Sequence, residues 1–112
     1  MRFDFDAVFY YVSDLERAIT FYKDVLGFKL ESQDCVARFL MGRVLFELVP
    51  TAAYDKLQGN GNARLCVGVD DIKSAISYLH SKGVTTAATE IKENGLLTRF
   101  HDPDGNEICL WQ

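Results

Sequence analysis

Val12-Ser13-Asp14-Leu15-Glu16-Arg17-Ala18-Ile19 returns 57 residues later as Val69-Asp70-Asp71-Ile72-Lys73-Ser74-Ala75-Ile76. Tyr22 then matches Leu79 in apolar character, and Gly27 matches Gly83 after a slip of one residue. Self-similarity at about half the length of a 112-residue chain means two copies of one supersecondary unit.

Each copy reads as a strand, a helix and three further strands. Phe5–Val12 is rich in aromatic and β-branched residues and predicts a strand. Ser13 with Glu16 three residues on forms a capping box, which supplies partners for orphaned amide groups at a helix start. Leu15, Ala18, Ile19, Tyr22 and Leu26 fall on one helical face, and Gly27 stops the helix. Strands then fit Phe28–Ser32, Cys35–Met41 and Arg43–Val49, with Gly42 in a tight turn.

The second copy opens with a strand at Ala63–Val69, and Asp70 is expected to cap its helix. Ile72, Ala75, Ile76 and Leu79 form the buried face of that helix, which Gly83 ends. Thr85–Ile91, Leu96–Phe100 and Glu107–Trp111 complete the strands. Asn94-Gly95 is a hairpin-turn signal, and Asp102-Pro103-Asp104-Gly105-Asn106 is another turn by composition. Thr51–Asn62 is polar and ends in Gly59-Asn60-Gly61-Asn62. The chain therefore divides into module one at 1–50, a linker at 51–62 and module two at 63–112, together one domain.

Composition narrows the functional classes. With 48% apolar and 25% charged residues the chain has the balance of a globular protein. A net charge of −4 and the lack of any Lys/Arg cluster argue against nucleic acid as a partner. No apolar stretch approaches the roughly 20 residues that cross a bilayer, so no membrane partner is expected. Met1-Arg2-Phe3-Asp4-Phe5-Asp6 has no apolar core of a signal peptide, so the expected location is cytoplasmic. Cys35, Cys66 and Cys109 share no metal-type spacing; each lies in an apolar run, which predicts buried free thiols and no disulfide.

Val12-Ser13-Asp14-Leu15-Glu16-Arg17-Ala18, with Phe21-Tyr22-Lys23-Asp24-Val25-Leu26-Gly27-Phe28, closely resembles the first helix of the vicinal-oxygen-chelate superfamily. This is the group of glyoxalases, bleomycin-resistance proteins and extradiol dioxygenases. Asp102-Pro103-Asp104-Gly105-Asn106-Glu107-Ile108 resembles its closing turn, and the likeness covers nearly the whole chain. The resemblance implies an α+β fold. Two βαβββ modules would form a curled, cup-shaped eight-stranded mixed sheet with the helices outside. It also implies a homodimer in which modules of two chains can face one cavity.

Enzymes of this superfamily hold a divalent metal with His and Glu side chains, leaving open positions for two substrate oxygens. The resemblance places the four counterparts at Ala7, Glu47, Arg64 and Cys109. Alanine has no donor atom, and arginine stays protonated. A unit charge ~4 Å from a divalent ion at an effective dielectric of ~20 costs about 8 kcal/mol, or roughly six decades of affinity. His80 lies in the second helix and His101 at the last turn, so neither restores the set. No metal and no other cofactor is expected.

The reading that follows is a metal-free protein that binds or sequesters a small aromatic or oxygen-rich compound. By strand alternation Phe9, Tyr11, Glu47, Arg64, Cys109 and Trp111 line its pocket. Arg64 is expected to pair with Glu47 when the pocket is empty and to meet an anionic ligand when it is filled. No residue is assigned a catalytic role in this reading, which leans away from an enzyme. Two catalytic alternatives stand beside it. One is a metal-dependent lyase or dioxygenase with a rearranged site. The other uses Cys109 as a nucleophile, its thiol lowered by a neighbouring cation.

Overall fold

The repeat written in the sequence is a repeat in space. The computed structural model describes Met1–Gln112, and its regular elements are β1 (Ala7–Val12), α1 (Leu15–Ile19), β2 (Leu30–Gln33), β3 (Ala37–Met41) and β4 (Val44–Pro50), then β5 (Leu65–Gly68), α2 (Ile72–Ser81), β6 (Glu90–Lys92), β7 (Gly95–His101) and β8 (Glu107–Trp111). The strands form two four-stranded sheets, β1-β4-β3-β2 and β5-β8-β7-β6, in place of the single eight-stranded sheet expected. The reason is that each copy pairs only its own strands. The chain divides into Met1–Gln58 and Gly59–Gln112, and a short 3₁₀ turn, Tyr54–Lys56, occupies the connecting segment.

In each sheet the first strand runs parallel to the last, and the remaining pairs are antiparallel. Both helices start one residue later than expected. Asp14 is the N-cap of α1, its carboxylate accepting from Arg17 N–H at 3.0 Å, while Ser13 accepts from the Arg17 guanidinium at 2.9 Å. Glu16, free of any capping duty, accepts from the Gln33 amide at 2.8 Å. Asp71 likewise replaces Asp70 as the cap of α2, accepting from Lys73 N–H at 3.1 Å. An aspartate next to the first turn is the better acceptor, since its charge also favours the positive end of the helix dipole.

After Ile19 the first helix widens into a π segment, Thr20–Val25, in which Leu26 N–H reaches the Phe21 carbonyl at 3.0 Å. Gly27 at φ 75° and Gly83 at φ 81° then end the two helices, as the sequence predicts.

The core of the first unit is aromatic. Tyr22 is wholly buried, with ring centroids 5.0 Å from Phe46, 5.7 Å from Phe28 and 6.2 Å from Phe39. Tyr10, Val12 and Leu48 complete the face of the sheet turned toward the helix. Each such ring contributes about 1.5–3 kcal/mol through the area it removes from water. The second unit buries Ile72 and Leu79 of α2 with Phe100, Ile108 and Leu110. Thr98 is also buried there, and its hydroxyl donates to the Ala87 carbonyl at 2.8 Å.

Candidate functional site

Alternation along a strand gives each sheet a face toward its helix and an open face. In the first unit Tyr10, Val12, Phe46 and Leu48 are buried, so Phe9, Tyr11 and Glu47 lie on the open face. Register aligns Phe9, Glu47 and Arg38 in one row across β1, β4 and β3. Phe9 remains 48% exposed and meets Tyr11 edge-on at 5.3 Å, and the Lys56 ammonium sits 5.1 Å from the Tyr11 ring centre. Glu47 is held by Arg38, whose Nε lies 3.2 Å from its Oε2, and Asp34 takes the other side of the same guanidinium at 3.1 Å.

The open face of the second unit repeats this lattice with different chemistry. Cys66, Cys109 and Arg99 form the corresponding row across β5, β8 and β7. Arg99 therefore stands where Arg38 stands in the first unit, and Cys109 stands where Glu47 does. Arg99 pairs with Glu90, as Arg38 pairs with Asp34. Arg64, just before β5, is ion-paired with Glu107 and donates to the carbonyls of Gly61 and Ala63. Trp111 shares this face and lays its indole over Gly95, where an added Cβ would meet Cζ2 at 2.7 Å.

The structure thus places all six residues expected to line a pocket on open faces, three in each unit. Arg64 and Glu47, expected to pair with each other, each have an opposite charge within their own unit: Glu107 for Arg64 and Arg38 for Glu47. Two further expectations are corrected. Cys35 and Cys66 are exposed and only Cys109 is buried, though all three are free thiols. Nor is the Cys109 thiol lowered. Burial pushes it up, the neighbouring Cys66 and Glu107 add to the rise, and Arg99 and Arg64 offset only part of it. A thiol held protonated in this way is a poor nucleophile.

Arg38 and Arg99 are the site residues that sequence reasoning missed. Their alignment with Glu47 and Cys109 depends on hairpin register, which residue types in isolation do not reveal. His80 bonds Thr86 Oγ1 at 2.9 Å, and His101 is exposed at the end of β7, so neither histidine joins the row.

The residues do not fit the metal centre that the resemblance implies. Of the four counterpart positions, Ala7 offers no donor, Arg64 is a cation already bonded to a carboxylate, and Cys109 is held as a thiol. No group of three or more His, Cys, Asp or Glu residues stands together to hold a metal ion.

With this geometry in view, the likeness to known proteins is consistent. The Glyoxalase/Bleomycin resistance protein/Dioxygenase superfamily profile matches residues 4–110, and the chain belongs to that superfamily. The lactoylglutathione lyase of Haemophilus influenzae is 31% identical over 112 residues, covering 87% of this chain and 83% of that protein. A protein of Synechocystis sp. named probable lactoylglutathione lyase is 30% identical over 116 residues, covering 90% and 88%. The crystal structure of a lactoylglutathione lyase from Agrobacterium tumefaciens superimposes with a TM-score of 0.78 at 19% identity, covering 96% of this chain and 92% of that one, which supports the fold. These relatives overturn the expectation of a metal-free binding protein, because both curated proteins are named as lyases.

Proposed function

We propose that the chain is a lyase of the glyoxalase type, acting at the carbon–sulfur bond of a 2-hydroxyacyl thioester such as a lactoyl thioester of glutathione. The observation that carries this reading is the 31% identity to the Haemophilus influenzae lyase across 87% of the chain. Converting such a thioester into a 2-oxoaldehyde and a free thiol first moves a proton between two adjacent carbons, and a carboxylate is a competent carrier for that proton. Glu47 is the carboxylate of the first unit's open face, and Arg38 at 3.2 Å orients it. In this reading Glu47 takes the proton from one carbon and returns it to the next. Phe9 and Tyr11 offer aromatic walls beside it. A homodimer in the cytoplasm completes the proposal.

The test is a thioester-absorbance assay with methylglyoxal and glutathione, run with added divalent metals and separately with a chelator. Catalysed thioester formation is expected, and Glu47→Gln should lower kcat by about 10²–10⁴-fold. Wild-type protein that gives no rate above the uncatalysed reaction under any of these conditions refutes the lyase reading. A Glu47→Gln variant with unchanged kcat refutes the role of Glu47.

A further inference from the structure

Cys66 and Cys109 are direct register partners on the parallel strands β5 and β8. Adjacent strands run about 4.8 Å apart, and a disulfide accepts Cα separations of about 4.4–6.8 Å. Both side chains point to the open face, because Leu65 and Val67 alternate with Cys66 while Ile108 and Leu110 alternate with Cys109. Cys66 is exposed, Cys109 lies beside it at 8% exposure, and both are free thiols. Cys35, the remaining cysteine, lies in the first unit.

We propose that Cys66 and Cys109 form a redox-active dithiol that closes into a cross-strand disulfide by exchange with a small disulfide of the glutathione type. Cys66, the accessible member, attacks one sulfur of the small disulfide. The S–S bond breaks, the first small thiol leaves, and it takes up the proton that Cys66 gave up. Cys109, a weak nucleophile on its own, is held directly beside the Cys66 sulfur of the mixed disulfide and attacks it by proximity, and the second small thiol leaves with the Cys109 proton. The two cysteines are oxidised by two electrons, and the small disulfide is reduced to two thiols. This inference stands on the geometry of the second unit alone and does not depend on the lyase reading.

The experiment equilibrates the full chain in buffers of reduced and oxidised glutathione, quenches with an alkylating agent and maps peptides by mass. A Cys66–Cys109 bridge should rise with the oxidised share and disappear on reduction with dithiothreitol. In Cys109→Ala the exposed Cys66 should instead keep a stable glutathione adduct. In Cys66→Ala, a change at an exposed position, no bridge should form. Alkylation of both residues in wild-type protein under strongly oxidising conditions overturns the proposal. So does a bridge that involves Cys35 or links two chains, or a Cys66 adduct that persists while Cys109 is present.

Discussion

Gly95→Ala offers a sharp check on the β7–β8 geometry. Asn94-Gly95 reads as a turn signal, yet the turn residues are Glu93 and Asn94, and Gly95 opens β7 without a positive φ. Its missing side chain serves close approach. An added Cβ would meet the Gln112 carbonyl oxygen at 2.2 Å and the Trp111 ring at 2.7 and 3.0 Å. The ring can turn aside, but the carbonyl cannot, because it accepts from Leu96 N–H at 3.0 Å while Gln112 N–H donates back to Leu96 at 3.0 Å. Relief requires the strand ends to part and lose both bonds, at about 0.5–1.5 kcal/mol each. Residual overpacking adds about 1–3 kcal/mol, for a total of about 2–6 kcal/mol. Gly42→Ala is the contrast: φ is 64° there and nothing lies within 4 Å, so only backbone strain is added. That strain costs about 1–2 kcal/mol. Urea unfolding followed by far-UV circular dichroism separates the two. With a slope of about 1–3 kcal/mol per molar, Gly95→Ala should lower the midpoint by about 1–2 M and Gly42→Ala by clearly less. Equal midpoints, or a Gly95→Ala variant as stable as wild type, would refute the close-approach argument.

Other outcomes follow from the same contacts. Asp71→Ala should cost about 0.5–2 kcal/mol in chemical denaturation as the α2 cap is lost, and Asp70→Ala only a few tenths; the reverse order would restore the cap to Asp70. Asp102 is buried and accepts from the Asp104 and Asn106 N–H groups at 2.9 Å each and from the Asn106 amide at 2.8 Å. Asp102→Ala leaves these donors unpaired and should destabilise by about 2–4 kcal/mol, measured by the same denaturation. The Val36 N–H and the Arg38 guanidinium hold Asp34 below its ordinary 3.8, and Lys92 and Arg99 hold Glu90 below its ordinary 4.5. A folded value below the unfolded one gives stability that is complete above the ordinary value and is lost as pH falls through the folded one. Urea midpoints should therefore drop as pH falls below about 4, less steeply in an Asp34→Asn, Glu90→Gln double variant than in wild type. Equal slopes would show that these pairs do not contribute.

Much of the fold was legible because its signals are local. Helical spacing in Leu15–Tyr22 and Ile72–Leu79, glycine stops at Gly27 and Gly83, and the Asp102–Asn106 turn each involve neighbours in the chain. The errors lie where neighbours compete or where register decides. Ser13 and Asp14 can both cap a helix, and only the geometry of the first turn chooses between them. Leu65-Cys66-Val67 reads as one apolar run, yet strand alternation turns Cys66 outward and its neighbours in. Arg64 pairs with Glu107 because β5 and β8 lie side by side, a fact of topology that composition does not carry. The chemistry of the open faces was half visible: residue types named Glu47 and Cys109, whereas Arg38 and Arg99 emerged only from the hairpin register.

The widened turn after Ile19 also explains the uneven spacing of the two copies. Gly27 lies thirteen residues beyond its helix cap Asp14, whereas Gly83 lies twelve beyond Asp71. The first helix has one residue more to fit between the same two landmarks, and an i→i+5 bond absorbs a single inserted residue without rotating the flanking turns. The surplus residue is thus held inside one coil of backbone, and both helices still reach their glycine stop.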